Sequence, residues 1–308
     1  MAIERRPLGR TGTDVTILGY GAMELRGQPR GPVITDEAAG QILGAVLDAG
    51  INLIDTSVDY GRSEELIGRY LGHRREEYFL ASKCGCPLDL PPDTPPPYPH
   101  DYRPVNVRAG VEQSLRRLGT DRLDLVQVHM SPSRAQLEQD QTIGTLQALR
   151  DEGKVRFIGM SGILPNLPGH LAMGVFDVFQ IPYSALQREH EELISAAAAA
   201  GAGTLIRGGA ARGTLADDKP GQPGPIGLPQ GAGQQRWQAA DLDGLLDGMS
   251  RMEFVLRFTL SHPGLSSTIV GTANPEHLRA NLAVAGRGPL PGDLYAEALR
   301  RLPAPAGR

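Results

Sequence analysis

Four side chains of this sequence could together move a proton onto a carbonyl oxygen: an acid, a phenol, an ammonium and an imidazole. In NLIDTSVDYGRSEELIG (52–68), Asp55 ends an apolar run; Tyr60 and a glycine follow just ahead of a helix start. LASK closes another apolar run on Lys83, and LDLVQVH closes a third on His129. Singly, each has a plain structural use as a turn former, a solvated stem or a satisfied core imidazole. Their coincidence at the ends of successive apolar runs is what points to chemistry. A free tyrosine titrates near about 10, too high for easy proton transfer at neutral pH. A nearby cation favours the phenolate; a drop of two to three units requires roughly 3–4 kcal/mol of differential interaction. Lys83 is placed to supply it, Asp55 offsets the cost of burying that ammonium, and His129 can hydrogen-bond a substrate oxygen. A proton alone does not reduce a carbonyl. No side chain delivers a hydride, so a nicotinamide cofactor is implied.

Convergence of these groups requires strands that end on one face. Eight apolar, β-rich stretches fit: 15–21, 51–57, 78–83, 123–129, 154–161, 176–181, 203–207 and 266–270. Helical patterns such as EAAGQILGAVLDAG, VRAGVEQSLRRLG, TIGTLQALRDEG, EELISAAAAAG and NPEHLRANLAVAG lie between them, several stopping on glycine. Eight strand–helix units predict an α/β fold, a closed (β/α)8 TIM barrel whose C-terminal strand ends share one pocket. Ser161, Gln180, Arg207 and Gly271-Thr272 fall at further strand ends. In VGTANPEHLRANL, Asn274 is a good N-cap and Pro275 a good first helical residue, which makes the helix start a candidate anion site. Gly271 ahead of it is read as permitting close backbone approach to the ligand. A Rossmann fingerprint fails, because Gly19-Tyr20-Gly21 is followed by Glu24 where a third glycine is needed. RRPLGRTGTDVT reads as an N-terminal β-hairpin able to cap the barrel bottom. The Pro- and Gly-rich segments 84–104 and 208–236 read as lids or substrate walls on the C-terminal face. No composition shift marks a second domain, so residues 1–308 are expected to form a single barrel domain.

Composition removes other classes. The net charge is −4, from 31 Lys and Arg against 35 Asp and Glu, and no basic stripe suits nucleic acid. No apolar run approaches a membrane span. MAIERRPLGRTG has no apolar signal core, so the expectation is a cytoplasmic protein. Cys84 and Cys86 are too few for a disulfide framework. With no third or fourth ligand near them in sequence, they read as reduced cysteines, and no metal is assigned.

Taken in order, these blocks resemble the aldo-keto reductase superfamily nearly end to end. NLIDTSVDYGRSEELIG matches the family's signature around its catalytic aspartate and tyrosine; LASK, DLVQVH, GKVRFIGMSG, FQIPYSALQRE and IVGTANPEHLRAN match later blocks in sequence order. The resemblance implies a tetrad: Tyr60 as general acid/base, Lys83 lowering its pKa, Asp55 pairing with Lys83, His129 orienting the carbonyl. It also implies that Gly21, Met23, Asp55, Ser161, Gln180, Arg207 and Gly208 line the nicotinamide end of the cofactor. Arg207 would stack its planar guanidinium on the ring, and Gly271, Thr272, His277 and Asn281 would hold the adenosine end. Ser161-Gly162 replaces the Ser-Asn of many members, which removes one polar contact. NADP(H) is favoured over NAD(H) on family habit, although Gly271-Thr272-Ala273 lacks a basic group and Arg279 or His277 would have to supply it. The expected reaction interconverts an aldehyde or ketone and its alcohol, on a small-molecule substrate. The alternative is a cofactor-binding regulatory subunit of the same fold with little turnover. A metal-dependent barrel using Asp55 and His129 is disfavoured, because Lys, Ser, Gln and Arg occupy the other strand ends. The oligomeric state is open, and a monomer is compatible with the sequence.

Overall fold

The computed structural model describes residues 3–88, 94, 98–216 and 229–303. Two short strands come first, β1 (Arg5–Pro7) and β2 (Asp14–Thr16), paired antiparallel with Arg5 opposite Thr16. Eight parallel strands follow: β3 (Leu18–Gly21), β4 (Leu53–Asp55), β5 (Phe79–Cys84), β6 (Leu123–Val128), β7 (Val155–Ser161), β8 (Val178–Pro182), β9 (Gly203–Arg207) and β10 (Ser267–Val270). They close in the order β10-β3-β4-β5-β6-β7-β8-β9, the (β/α)8 barrel that the strand spacing predicts. One boundary differs. The run 15–21 is not a single strand: its first residues complete the hairpin, and the chain enters the barrel only at Leu18.

Helices α1 (Asp36–Asp48), α2 (Ser63–Leu71), α3 (Pro104–Leu118), α4 (Arg134–Gln139), α5 (Thr142–Asp151), α6 (Leu167–Met173), α7 (Glu191–Ala199), α8 (Ala232–Ala239), α9 (Arg251–Leu260), α10 (Pro275–Arg287) and α11 (Gly292–Arg301) complete the fold. Their ends follow local chemistry. Thr35 and Asn274 accept hydrogen bonds from the first-turn amides of α1 and α10, and Gly119 stops α3 in the left-handed conformation. The segment 208–236 is not loop throughout, because α8 begins within it and buries Trp237 against Phe254. Residues 89–93, 95–97 and 217–228, which fall within the expected lids, lie outside the described residues. No helix among the described residues is long and apolar enough to cross a membrane.

Alternation along the strands builds two apolar layers. Ile54, Leu80, Val126, Ile158, Phe179 and Ile206 face the helices, whereas Leu53, Phe79, Ala81, Leu125, Val178 and Leu205 fill the barrel interior. Leu8, carried by the hairpin and fully buried, joins this inner cluster, so the hairpin seals the barrel floor as expected. Leu8→Ala is expected to lower stability by about 2–5 kcal/mol, measured by urea unfolding. A cost near zero would mean that the hairpin merely rests against the barrel.

Candidate functional site

Side chains two apart on a strand point the same way, and this rule builds the site. Directly beyond the interior apolar residues come Asp55 after Leu53, Lys83 after Ala81, Gln127 after Leu125, Gln180 after Val178 and Arg207 after Leu205. Strand register sets them side by side: Lys83 is opposite Gln127, and Ser161 is opposite Gln180. An apolar plug thus carries a polar layer at the C-terminal strand ends.

The Lys83–Asp55 ion pair lies at the centre of this layer. Lys83 Nζ donates to Asp55 Oδ2 at 2.7 Å and to the Thr56 carbonyl at 2.7 Å, with both charged side chains almost wholly buried. The other carboxylate oxygen, Oδ1, accepts from Gln127 Nε2 and Gln180 Nε2, each at 2.8 Å. Ser161 Oγ in turn donates to Gln180 Oε1 at 3.1 Å. Five residues on β4 to β8 therefore form one hydrogen-bonded unit. An ammonium has three N–H donors; two are used, and the third is left for Tyr60, whose ring centroid lies 4.7 Å from Lys83 Nζ.

Tyr60 is held by its turn. Its N–H donates to the Ser57 carbonyl, and its carbonyl accepts from Ser63 N–H. Gly61 has φ +47°, and a Cβ there would fall 2.2 Å from the Arg26 carbonyl oxygen, so only glycine lets the Tyr60 turn dock on the 22–26 segment. The expected net drop in the Tyr60 pKa is not what this structure shows. Burial raises it above the ordinary phenol value and outweighs Lys83, which pulls it down by charge and hydrogen bond. Lys83 itself is raised: burial opposes its charge, but Asp55 and Tyr60 more than compensate.

His129 stands at the far edge of the polar layer. Its N–H donates to the Cys84 carbonyl at 3.1 Å, and its carbonyl accepts from Tyr102 OH at 2.7 Å. Burial pushes its imidazole down to about 3, against the pull of Asp59 and with help from Lys83, so the ring is neutral at neutral pH. Asp59, two residues beyond Ser57, faces it. Burial acts to raise the Asp59 carboxyl, but His129, Ser57, Tyr98 and Lys83 together hold it below its usual range. Ser57 Oγ and Tyr98 OH donate to its two oxygens.

At the other end of the pocket mouth, Gly21 and Gly271 come together where β3 and β10 end. A Cβ on Gly271 would fall 2.6 Å from the Gly21 carbonyl oxygen. Strand packing alone therefore calls for a glycine at this position, in addition to any approach by a ligand. Thr272 is buried, its carbonyl accepts from Tyr20 OH at 2.8 Å, and its Oγ1 accepts from Asn274 N–H at 3.0 Å. His277 and Asn281 are half-buried and share one face of α10, four residues apart. Met23 is half-buried in the short helical turn Ala22–Arg26. Arg207 has its pKa lowered by burial, against the opposing influence of the nearby Tyr60 and Asp55. Its Nε is buried without a hydrogen-bond partner among the described residues, as is Gln127 Oε1. Gly208 follows it with φ +73°. Orphaned buried donors and acceptors around the pair fit a polar, amide-bearing group such as a nicotinamide. Tyr183, another polar strand-end residue, turns away to Glu191 and Tyr295.

Sequence reasoning missed Gln127, Asp59 and His100. Gln127 carried a usable signal, being the one uncharged polar residue inside LDLVQV and in phase with Leu125. Asp59 and His100 lie in loops with no periodicity to read. His100 packs edge-on against His129, with ring centroids 5.5 Å apart.

The chain matches the profile of the Aldo/keto reductase family over residues 17–298. It is 29% identical over 294 residues to L-galactose dehydrogenase of Arabidopsis thaliana, covering 91% of this chain and 88% of the relative. It is 27% identical over 333 residues to D-threo-aldose 1-dehydrogenase of a Pseudomonas species, covering 96% and 97%. The holo form of an aldo-keto reductase from Bacillus halodurans superposes with a TM-score of 0.83 at 26% identity, covering 98% of this chain and 97% of that one.

Removing one partner of a buried pair leaves a bare charge. Asp55→Leu is expected to cost about 3–5 kcal/mol of stability, and adding Lys83→Met to recover a large part of it. Equal losses in the single and double variants, measured by urea unfolding, would show that the two charges are not coupled.

Proposed function

The chain belongs to the aldo/keto reductase family and is an NAD(P)-dependent oxidoreductase, and on that premise we propose that Tyr60 transfers the proton as it interconverts a carbonyl compound and its alcohol. The observation that carries this reading is the buried, Asp55-paired Lys83 beside the Tyr60 phenol, with its third N–H left for that phenol. A substrate carbonyl would place its oxygen between Tyr60 OH and the neutral His129 ring. When bound, the nicotinamide supplies or accepts the hydride at the carbonyl carbon. Every other part is done by this chain. His129, uncharged, donates a hydrogen bond that polarises the carbonyl without competing for the proton. Tyr60 donates its proton to the oxygen, and the phenolate left behind is stabilised by the fixed charge of Lys83. Asp55 keeps Lys83 charged and in place. Ser161, Gln180 and Arg207 would hold the carboxamide and ring, with Met23, Gly21 and Gly208 lining the approach. Gly271, Thr272, His277 and Asn281 would receive the adenosine end. Of the two basic candidates for a 2′-phosphate, His277 shares the Asn281 face of α10, whereas Arg279, exposed and 3.8 Å from Glu276, is two residues from each and so on the other side of the helix; NADP(H) is proposed over NAD(H) on the family resemblance.

The polar edge formed by Asp59, Tyr98 and His100 beside His129 suits a hydroxylated aldehyde or its alcohol. Two relatives are named as dehydrogenases of sugars, which supports the same class.

The direct test is steady-state oxidation of NADPH, with NADH in parallel, using a reactive aromatic aldehyde, and reduction of either cofactor with an aldose. Tyr60→Phe is expected to lower kcat by roughly 10²–10⁴-fold with cofactor affinity nearly unchanged. Parental turnover in that variant would contradict the assignment. Tight cofactor binding with no turnover in either direction would instead support a regulatory subunit. Because the Tyr60 pKa is raised, the acid form persists through neutral pH. Reduction should be level there and fall only in strong alkali, whereas oxidation, which needs the phenolate, should rise with pH.

A further inference from the structure

Beside the polar layer, His129 of the proposed reaction adjoins His100 and Cys86, and the reaction gives the Cys86 thiol no part. Cys86 Sγ lies 3.1 Å from His129 Nδ1, and ligand atoms of Cys86, His100 and His129 all lie within 4.8 Å of one another. Around a tetrahedral zinc with bonds of about 2.0–2.3 Å, such atoms would be roughly 3.3–3.6 Å apart, so a small shift of the His100 ring would complete the set. We propose that Cys86, His100 and His129 form a binding site for a soft divalent cation of the zinc class.

His100 is oriented for this role. Its Nδ1 is 3.2 Å from the Tyr98 carbonyl, which can only accept, so Nδ1 carries the proton and Nε2 the lone pair. That Nε2 is buried and without a hydrogen-bond partner among the described residues. A histidine whose second nitrogen is tied to a backbone carbonyl is the usual outer-shell arrangement of a metal ligand. The other two ligands are equally fixed. Asn106 Nδ2 donates to the Cys86 carbonyl at 3.1 Å and to the Asp101 carbonyl at 2.7 Å, and the His129 backbone is held by Cys84 and Tyr102. Cys84 takes no part, because it is buried in the outer apolar layer. Two imidazoles and a thiolate suit zinc better than magnesium or calcium. The thiol proton leaves to water on binding, and the fourth position stays open. Asp59, which interacts with both Cys86 and His129, offsets the positive charge of the ion against Lys83 and Arg207 nearby. A bound ion would tie His129 to the Cys86 side and hinder its contact with a substrate oxygen. Inhibition by zinc is the consequence, and it rests on the proposed reaction, whereas the binding does not.

The test uses the full chain with Zn²⁺ in equilibrium dialysis and Co²⁺ in absorption spectroscopy. One ion per chain and a thiolate-to-cobalt charge-transfer band are expected, with at least tenfold weaker binding in Cys86→Ser and in His100→Gln. No stoichiometric binding, or unchanged binding in both variants, would overturn the site. Turnover should fall in step with zinc occupancy and recover with chelator. Unaltered turnover at full occupancy would overturn the inhibitory role. A protein without turnover would count against the proposed reaction while leaving the dialysis result to decide the site.

Discussion

A buried ammonium facing a buried carboxylate is the interaction on which the rest of this structure depends. Moving Lys83 and Asp55 out of water costs several kcal/mol per ion unless every remaining donor and acceptor is met. Here Thr56, Gln127 and Gln180 meet them, with Ser161 behind Gln180. These partners come from different strands, so the closed barrel and its register are conditions for the pair to exist. The apolar interior below, from Leu8 to Leu205, keeps water from reaching it from the floor.

That arrangement sorts the protonation states above it. Tyr60 keeps its proton, His129 is neutral, and Asp59 is ionised although largely enclosed. Burial is the leading influence on each, and the neighbouring charges decide how far it prevails. Lys83 therefore does not make the Tyr60 phenol acidic in the resting site; it limits how unfavourable the phenolate becomes. The charge matters most at the moment the proton leaves. The same closeness of groups around His129 brings Cys86 and His100 within a metal's reach, a proximity that carbonyl chemistry does not require.

The barrel was legible because its strands are short apolar runs separated by capped helices, and all eight stretches correspond to barrel strands. Asp55, Lys83 and His129 were legible because each ends such a run. Gln127 shows the limit of that reading: its partner Asp55 is 72 residues away, and only strand register brings them together. The strand at 15–21 was overextended because β2 and β3 are nearly continuous in sequence and nothing in its apolar pattern marks the step from hairpin to barrel. For Gly271, sequence shows that close approach is possible, but the approach to the Gly21 carbonyl is visible only in the strand packing. His100 and Asp59 sit in loops, where neither period nor propensity encodes position.

The measurement that bears most directly on the central claim is the pH dependence of kcat in Lys83→Met beside the parent, for reduction and for oxidation. If Lys83 stabilises the Tyr60 phenolate, the variant loses roughly 10²–10⁴-fold in rate, and the rise of oxidation with pH moves to more alkaline values. An unchanged rate with an unchanged profile would contradict the role of the Lys83–Asp55 pair in proton transfer.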